Sequence, residues 1–364
     1  MNILLIFEHL FFSKFLKDSS TRSALLLSHG FNKDCFCHSK DAFIEKLDTL
    51  GFDQQFKILQ ENKERRRVVA LVSKNQKPYV IKWLDLKAKQ SFNFINKFDS
   101  EKFAHFELAK KYPKLIPQGI EVGEDYILME QASGESLFSL AKKYNFKSIE
   151  RAFEEFSRKA IHFYINEKSD KLKLSQINQW IIETHRYGVH LKAKTSKMGF
   201  VHALKSPNDF QIKYLKQIDL IYEEIEKNLG SIYITKSLPD LDEHNCLYNS
   251  SNNEFKIVDW EDSKESIVSF DLSYLASRMI VLAIDQNQPT ELCFKIYKRL
   301  LSLIIEIDIQ QSQIFTLLVQ WRLMHVVINP WLWPNDSTWK MATESIFSRS
   351  NKLKKLNRIL NELQ

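Results

Sequence analysis

The stretch SLPDLDEHNCLY, residues 237–248, decides how this chain is read. It follows a β-prone run at 231–235 and sets Asp240, Asp242, Glu243 and Asn245 within six positions. Nineteen residues after Asp240, a short apolar strand ends in acids as Ile257-Val258-Asp259-Trp260-Glu261. Twelve residues beyond Asp259, Phe270-Asp271-Leu272 opens a helix. Oxygen-bearing side chains thus recur where regular elements end, which is where folds place their chemistry.

Upstream of this stretch the texture is strand-like. Residues 56–60, 68–72 and 79–83 are short β-prone runs separated by polar turns, which predicts an antiparallel meander. A helix is expected over 100–111, stopped by Pro113 and Pro117. Two more strands, 120–122 and 126–129, flank a Gly123-Glu124-Asp125 turn. After Gly134 helices take over. Ile149, Phe153, Phe156, Ala160 and Phe163 follow a helical period, as do Tyr214, Ile218, Ile221, Ile225 and Leu229, with Gly230 placed to end the helix. Strands first and helices second predict an α+β chain. Its parts are an N-terminal extension over 1–54 packing on the first lobe, a small antiparallel-sheet N-lobe over 55–131, and a larger, mostly helical C-lobe over 132–364. The cleft between two such lobes is a natural ligand site.

Composition narrows the function classes. With 364 residues at 44% hydrophobic, the chain can build a core larger than one small domain needs. Its net charge of +7 is mild and reads as a solvated basic surface compatible with phosphate-bearing partners. Arg65 to Arg67 is too short a run, without interleaved aromatics, to predict nucleic-acid binding. The four cysteines, at 35, 37, 246 and 293, make no disulfide framework for this length and imply a reducing, cytoplasmic setting. Cys35, Cys37 and His38 lack a second ligand cluster and read as ordinary side chains. The most apolar run, 267–284, carries Asp271 and Arg278, so no membrane insertion is expected. Residues 2–12 lack the basic leader and cleavage site of a signal peptide.

The acids and amide suit one chemistry in particular. Phosphoryl transfer from ATP needs a carboxylate to orient the acceptor hydroxyl, oxygen ligands for magnesium, and a cation on the phosphates. Asp240 suits the base, Asn245 and Asp259 the metal ligands, and a lysine of the strand-rich part the cation.

These residues resemble the aminoglycoside phosphotransferase and choline kinase superfamily, which has a protein-kinase-like fold. That family has an asparagine five residues after a catalytic aspartate, as Asn245 follows Asp240. Val258-Asp259-Trp260-Glu261 is similar to its Ile-Asp-Trp-Glu strand, and Asp271-Leu272 to its later Asp-Leu pair. The resemblance implies a phosphate-binding Lys82 in Tyr79-Val80-Ile81-Lys82-Trp83, with Glu101 as its partner and Glu107 as the alternative. It implies that Met129-Glu130 forms the nucleotide hinge, with Gly134-Glu135-Ser136-Leu137 opening the second lobe. ATP and Mg2+ are the implied cofactors.

The chain departs from the family pattern at two places. Leu238 and Pro239 occupy the motif's histidine and glycine positions, where leucine can fill apolar space. The first hairpin has no glycine, since none occurs between Gly51 and Gly119. Its tip, 61–67, meets either phosphates through Lys63 and the arginines, or water. Asp242, Glu243, Asp262 and Glu265 are expected in solvent, and Trp321, Trp331, Trp333 and Trp339 in helix packing. The expected activity is ATP-dependent phosphorylation of a hydroxyl on a small molecule such as a sugar, an aminoglycoside-like compound or an amino alcohol. The alternative is a kinase-like nucleotide-binding regulatory protein with little or no transfer activity.

Overall fold

Three β-prone runs make the start of a sheet: β1 (Phe56–Asn62), β2 (Arg67–Lys74) and β3 (Lys77–Leu84), each antiparallel to the next. They belong to a computed structural model that describes residues 40–53, 56–62, 67–85, 92–171, 220, 232–238, 241–260, 265–286, 288–328 and 351–363. The extension before residue 40, the hairpin tip at 63–66, Pro239, Asp240, Glu261, Asp262, the 214–229 helix pattern, and Trp331, Trp333 and Trp339 lie outside the described residues. The β2–β3 turn is a two-residue hairpin with both central residues, Asn75 and Gln76, at positive φ (55° and 63°). That left-handed pair matches the twist of the flanking strands.

The chain divides into two compact units. The first comprises Met1–Ser136, Leu238–Asp240 and His244–Ser263, and its main sheet runs β1-β2-β3-β5-β4, with β4 at Gly119–Val122 and β5 at Tyr126–Glu130. Side chains alternate across a strand, so the central β3 serves two layers. Ile81 and Trp83 face one layer with Val68, Ala70, Val72 and Leu128, covered by Phe43 and Leu47 of α1 (Lys40–Thr49) and by Phe52. Val80 and Leu84 face the other with Ile127, Met129 and Phe98 of α2 (Phe92–Phe103). Lys82 shares the parity of Val80 and Leu84, and so lies on the α2 side.

Helix α2 begins at Phe92 rather than at Ser100. No glycine or proline interrupts 92–99, so nothing stops the helix from extending back to there. It continues through a π-helical turn, Ala104–Leu108, into Ala109–Lys111. The same unit holds a small sheet in the order β10-β9-β6, from β6 (Glu135–Ser136), β9 (Cys246–Asn249) and β10 (Glu254–Ile257). Gly134 sits at φ 117°, and a Cβ there would come 2.6 Å from the Tyr248 carbonyl, so this approach of backbones requires glycine.

The second unit is helical. Helix α3 (Leu137–Lys142) leads to α4 (Phe146–Asn166), capped by the Asn145 side chain accepting from Ser148 N. Its apolar stripe, Ile149, Phe153, Phe156, Ala160 and Phe163, is fully buried, as the period predicts. It packs with α6 (Thr290–Asp308), and α5 (Val268–Asp285) packs with α6 and α7 (Gln311–Ile328). Trp321 is core, and Tyr297 stacks on Phe315 at 5.5 Å. Helix α8 (Asn351–Glu362) packs on this group, and three short strands, β7 (Lys168–Lys171), β8 (Tyr233–Lys236) and β11 (Glu265–Ser266), pair in the order β11-β8-β7. Among the described residues, no helix is long and apolar enough to cross a membrane.

Phe43 is fully buried, with its ring 5.5 Å from Phe56 and 5.6 Å from Trp83. Phe43→Ala is therefore expected to cost about 3–5 kcal/mol, read as a lower urea midpoint. A loss within about 0.5 kcal/mol, the range of surface substitutions, would show that α1 does not stabilise the sheet.

Candidate functional site

Lys82, Glu101 and Asp259 meet inside the first unit. Strand β3 carries Lys82 beneath α2, and the chain after β10 carries Asp259 to the same point. The Lys82 ammonium donates to Glu101 Oε1, and its Nζ lies 3.2 Å from Asp259 Oδ1. All three are buried, Glu101 completely. Glu101 Oε1 also lies 3.3 Å from the Trp260 backbone N and 3.6 Å from Nε2 of the buried His105. The other ring nitrogen of His105 is hydrogen-bonded to Pro117 O at 2.7 Å. Glu107, the alternative partner for Lys82, is instead exposed and pairs with Lys110 at 3.1 Å.

The electrostatics follow from this packing. Burial pulls the Lys82 ammonium down, but the Asp259 and Glu101 carboxylates outweigh it and leave its pKa raised. Burial pushes the Glu101 carboxyl up, but Lys82, and after it His105, hold it below its ordinary value. A cation in this state is a fixed positive charge suited to a phosphate oxygen.

Asp259 has φ 71°, in the left-handed region that a residue other than glycine seldom occupies. Such a conformation is held by its surroundings and is common at functional positions. Here the Val258 N bond to Asn245 O (2.9 Å) and the Ile257 N bond to Leu115 O (2.8 Å) fix the backbone just before it. The carboxylate of Asp259 and the side-chain amide of Asn245 are hard oxygen donors, which fit magnesium. That ion is usually held by one or two protein groups plus phosphates, so it needs no larger cluster of acids.

Met129 and Glu130, the positions expected to form the hinge, end β5. Met129 is buried against Leu84, Phe98 and Ile127. Glu130 receives Lys256 Nζ at 2.7 Å, and its backbone N donates to Gln118 O at 2.9 Å.

In the second unit, two sequence expectations need correction. Asp242 and Glu243 are buried rather than solvated. Arg278 of α5 donates from Nε to Glu243 Oε2 at 2.9 Å and from Nη2 to Oε1, a two-pronged bond that makes burial of the carboxylate tolerable. Burial would lower the Arg278 pKa, but Glu243 more than compensates and leaves it raised. Asp271, in the first turn of α5, accepts from Tyr164 Oη at 2.9 Å and Ser266 Oγ at 3.0 Å. Leu238, in the histidine position of the motif, belongs to the first unit and is 1% exposed, as apolar filling requires.

Sequence reasoning missed Lys256 and His105. Only their position, beside Asp259 on a strand and one turn beyond Glu101 on a helix, signalled them.

Because Glu101 is held below its ordinary value, its contribution to stability is present above that value and is lost as pH falls. Lys82→Met removes the cation that keeps it ionised. The variant should be about 3–5 kcal/mol less stable near pH 7.5, with the gap closing only as pH falls through the ordinary carboxylate range toward about pH 4 and Glu101 protonates. Urea denaturation at both values checks this, and a gap independent of pH would show that the charges are not coupled.

No protein-family model matches the sequence, and no curated protein matches it. Solved structures do. A microcompartment-associated aminopropanol kinase superposes with a TM-score of 0.52 at 10% identity, covering 89% of this chain and 98% of that one. An ADP-bound aminoglycoside phosphotransferase gives 0.46 at 12% identity over 88% and 96% of the two chains. An ethanolamine kinase from Plasmodium vivax gives 0.40 at 11% over 90% and 85%. With a small antiparallel sheet in its first unit and helices in its second, the chain shares the two-lobed kinase fold of that aminopropanol kinase.

Proposed function

We propose that this protein is an ATP-dependent phosphotransferase that moves the γ-phosphoryl group to a hydroxyl of a small molecule. The observation that carries the reading is the buried Lys82–Glu101 pair with Asp259 beside it. Taking three charged side chains out of water is costly unless they are mutually satisfied, and an apolar core would serve stability as well. Their retention is what phosphate and metal binding would demand. The acceptor class includes sugars, aminoglycoside-like compounds and amino alcohols, and the fold match to an aminopropanol kinase supports the last of these.

When bound, magnesium–ATP supplies the transferable phosphoryl group and the neutralising charge. Lys82 would hold the phosphates by its ammonium, and Glu101 keeps that ammonium from turning elsewhere. Asn245 and Asp259 would hold the metal, with Met129 and Glu130 beside the base. Asp240 would accept the acceptor's proton. It stands five residues before Asn245, the interval that lets base and metal ligand come from one loop. Asp242, buried in the unit that holds Glu243 and Arg278, would have a structural role.

Two measurements test the reading. Millimolar magnesium–ATP should raise the melting temperature of the parent, because a ligand of the folded state stabilises it by mass action. Lys82→Ala should abolish the shift. No shift in the parent would remove the nucleotide assignment. On whichever acceptor a hydroxyl-metabolite screen reveals, Asp240→Asn should cut turnover by roughly 10²-fold or more with nucleotide binding retained, and Asp242→Asn by about tenfold or less. The reverse ranking would move the base to Asp242. Negligible losses in both would favour a nucleotide-binding regulatory protein.

A further inference from the structure

Lys256 is a buried cation that phosphoryl transfer does not by itself require. It lies on β10, three residues before Asp259, and its side chain is 6% exposed. Its Nζ donates to Pro113 O at 2.6 Å and to Glu130 Oε1 at 2.7 Å, and lies 3.4 Å from Ile116 O. Glu254 Oε1 stands further off, at 3.6 Å. Satisfying the carbonyls of the turn after α2 would explain the first and third contacts. It does not explain the second, since Glu130 is 39% exposed and has water available.

The position of these contacts suggests what they do. Glu130 ends β5 at the hinge, the base end of the proposed nucleotide site. Lys256 sits on the strand that delivers Asp259 and, through the β9–β10 ladder and the Val258 N bond to Asn245 O, is tied to Asn245 at the metal end. One ammonium therefore joins the two ends. We propose that Lys256 is a positioning residue that sets the spacing between the base-binding hinge and the metal-binding strand, so that a single nucleotide engages both. This rests on the nucleotide-binding reading above.

A ligand held at two ends gains from the second contact only if the span is right, and a small misplacement is costly. A ligand that touches one end is indifferent to the span. The β5 backbone is held by its own ladder to β3, so the base end survives loss of Lys256.

The test is isothermal titration of full-length protein with magnesium–ATP, adenosine and magnesium–tripolyphosphate. Lys256→Met should weaken magnesium–ATP by about tenfold while adenosine and tripolyphosphate change by about twofold or less. Unchanged ATP affinity, or equal loss for all three ligands, would reduce Lys256 to a structural residue and overturn the proposal. Glu130→Gln removes the charge from the same bond at a partly exposed position, and it decides the matter if Lys256→Met does not fold. An ATP-selective loss of about threefold is expected, and no loss overturns the proposal. A parent that binds none of the three ligands would instead overturn the nucleotide reading itself.

Discussion

The first unit depends on one constraint: a lysine, a glutamate and an aspartate are buried together, and the one ammonium must hold both carboxylates. Asp259 and Glu101 hold the Lys82 ammonium charged against its burial, and Lys82 holds the Glu101 carboxylate ionised against its own. Three segments far apart in sequence are therefore held to a common point. A β-strand, a helix and the end of a second, smaller sheet each supply one member. The unusual backbone of Asp259 is tolerable because the bonds just before it leave little choice.

The segment between α2 and β4 organises what surrounds that point. Its carbonyls accept in succession: Pro113 from Lys256, Leu115 from Ile257 N, Pro117 with the His105 ring, and Gln118 from Glu130 N. A short connection without secondary structure is thereby made as well bonded as a strand. The two prolines, which end the helix, bring no backbone N–H that would need a partner of its own. The π-helical turn just before it buries Ala104, His105 and Leu108, which sets the His105 ring between Glu101 and Pro117.

Much of this was legible in the residues. β-prone runs between polar turns marked β1, β2 and β3, and the family resemblance singled out Lys82 on the third of them. The Asp-Trp-Glu run after an apolar strand singled out Asp259, and the period from Ile149 to Phe163 marked α4. The burial of Asp242 and Glu243 was not legible. Acids in a polar loop read as solvated, and the arginine that reverses this for Glu243 lies 35 residues away on another element. The role of Lys256 was hidden for the same reason, because its partners lie more than a hundred residues earlier.

By itself, then, the sequence determined the elements, their order and the residue types capable of chemistry. Strand and helix periods and turn residues are local properties carried by neighbours in the chain. Only the tertiary structure decided which charges face which where no motif marked them: Arg278 against Glu243, and Lys256 against Glu130. Charge pairing is strong only where water is excluded, and exclusion of water is a property of the packed fold rather than of any segment within it.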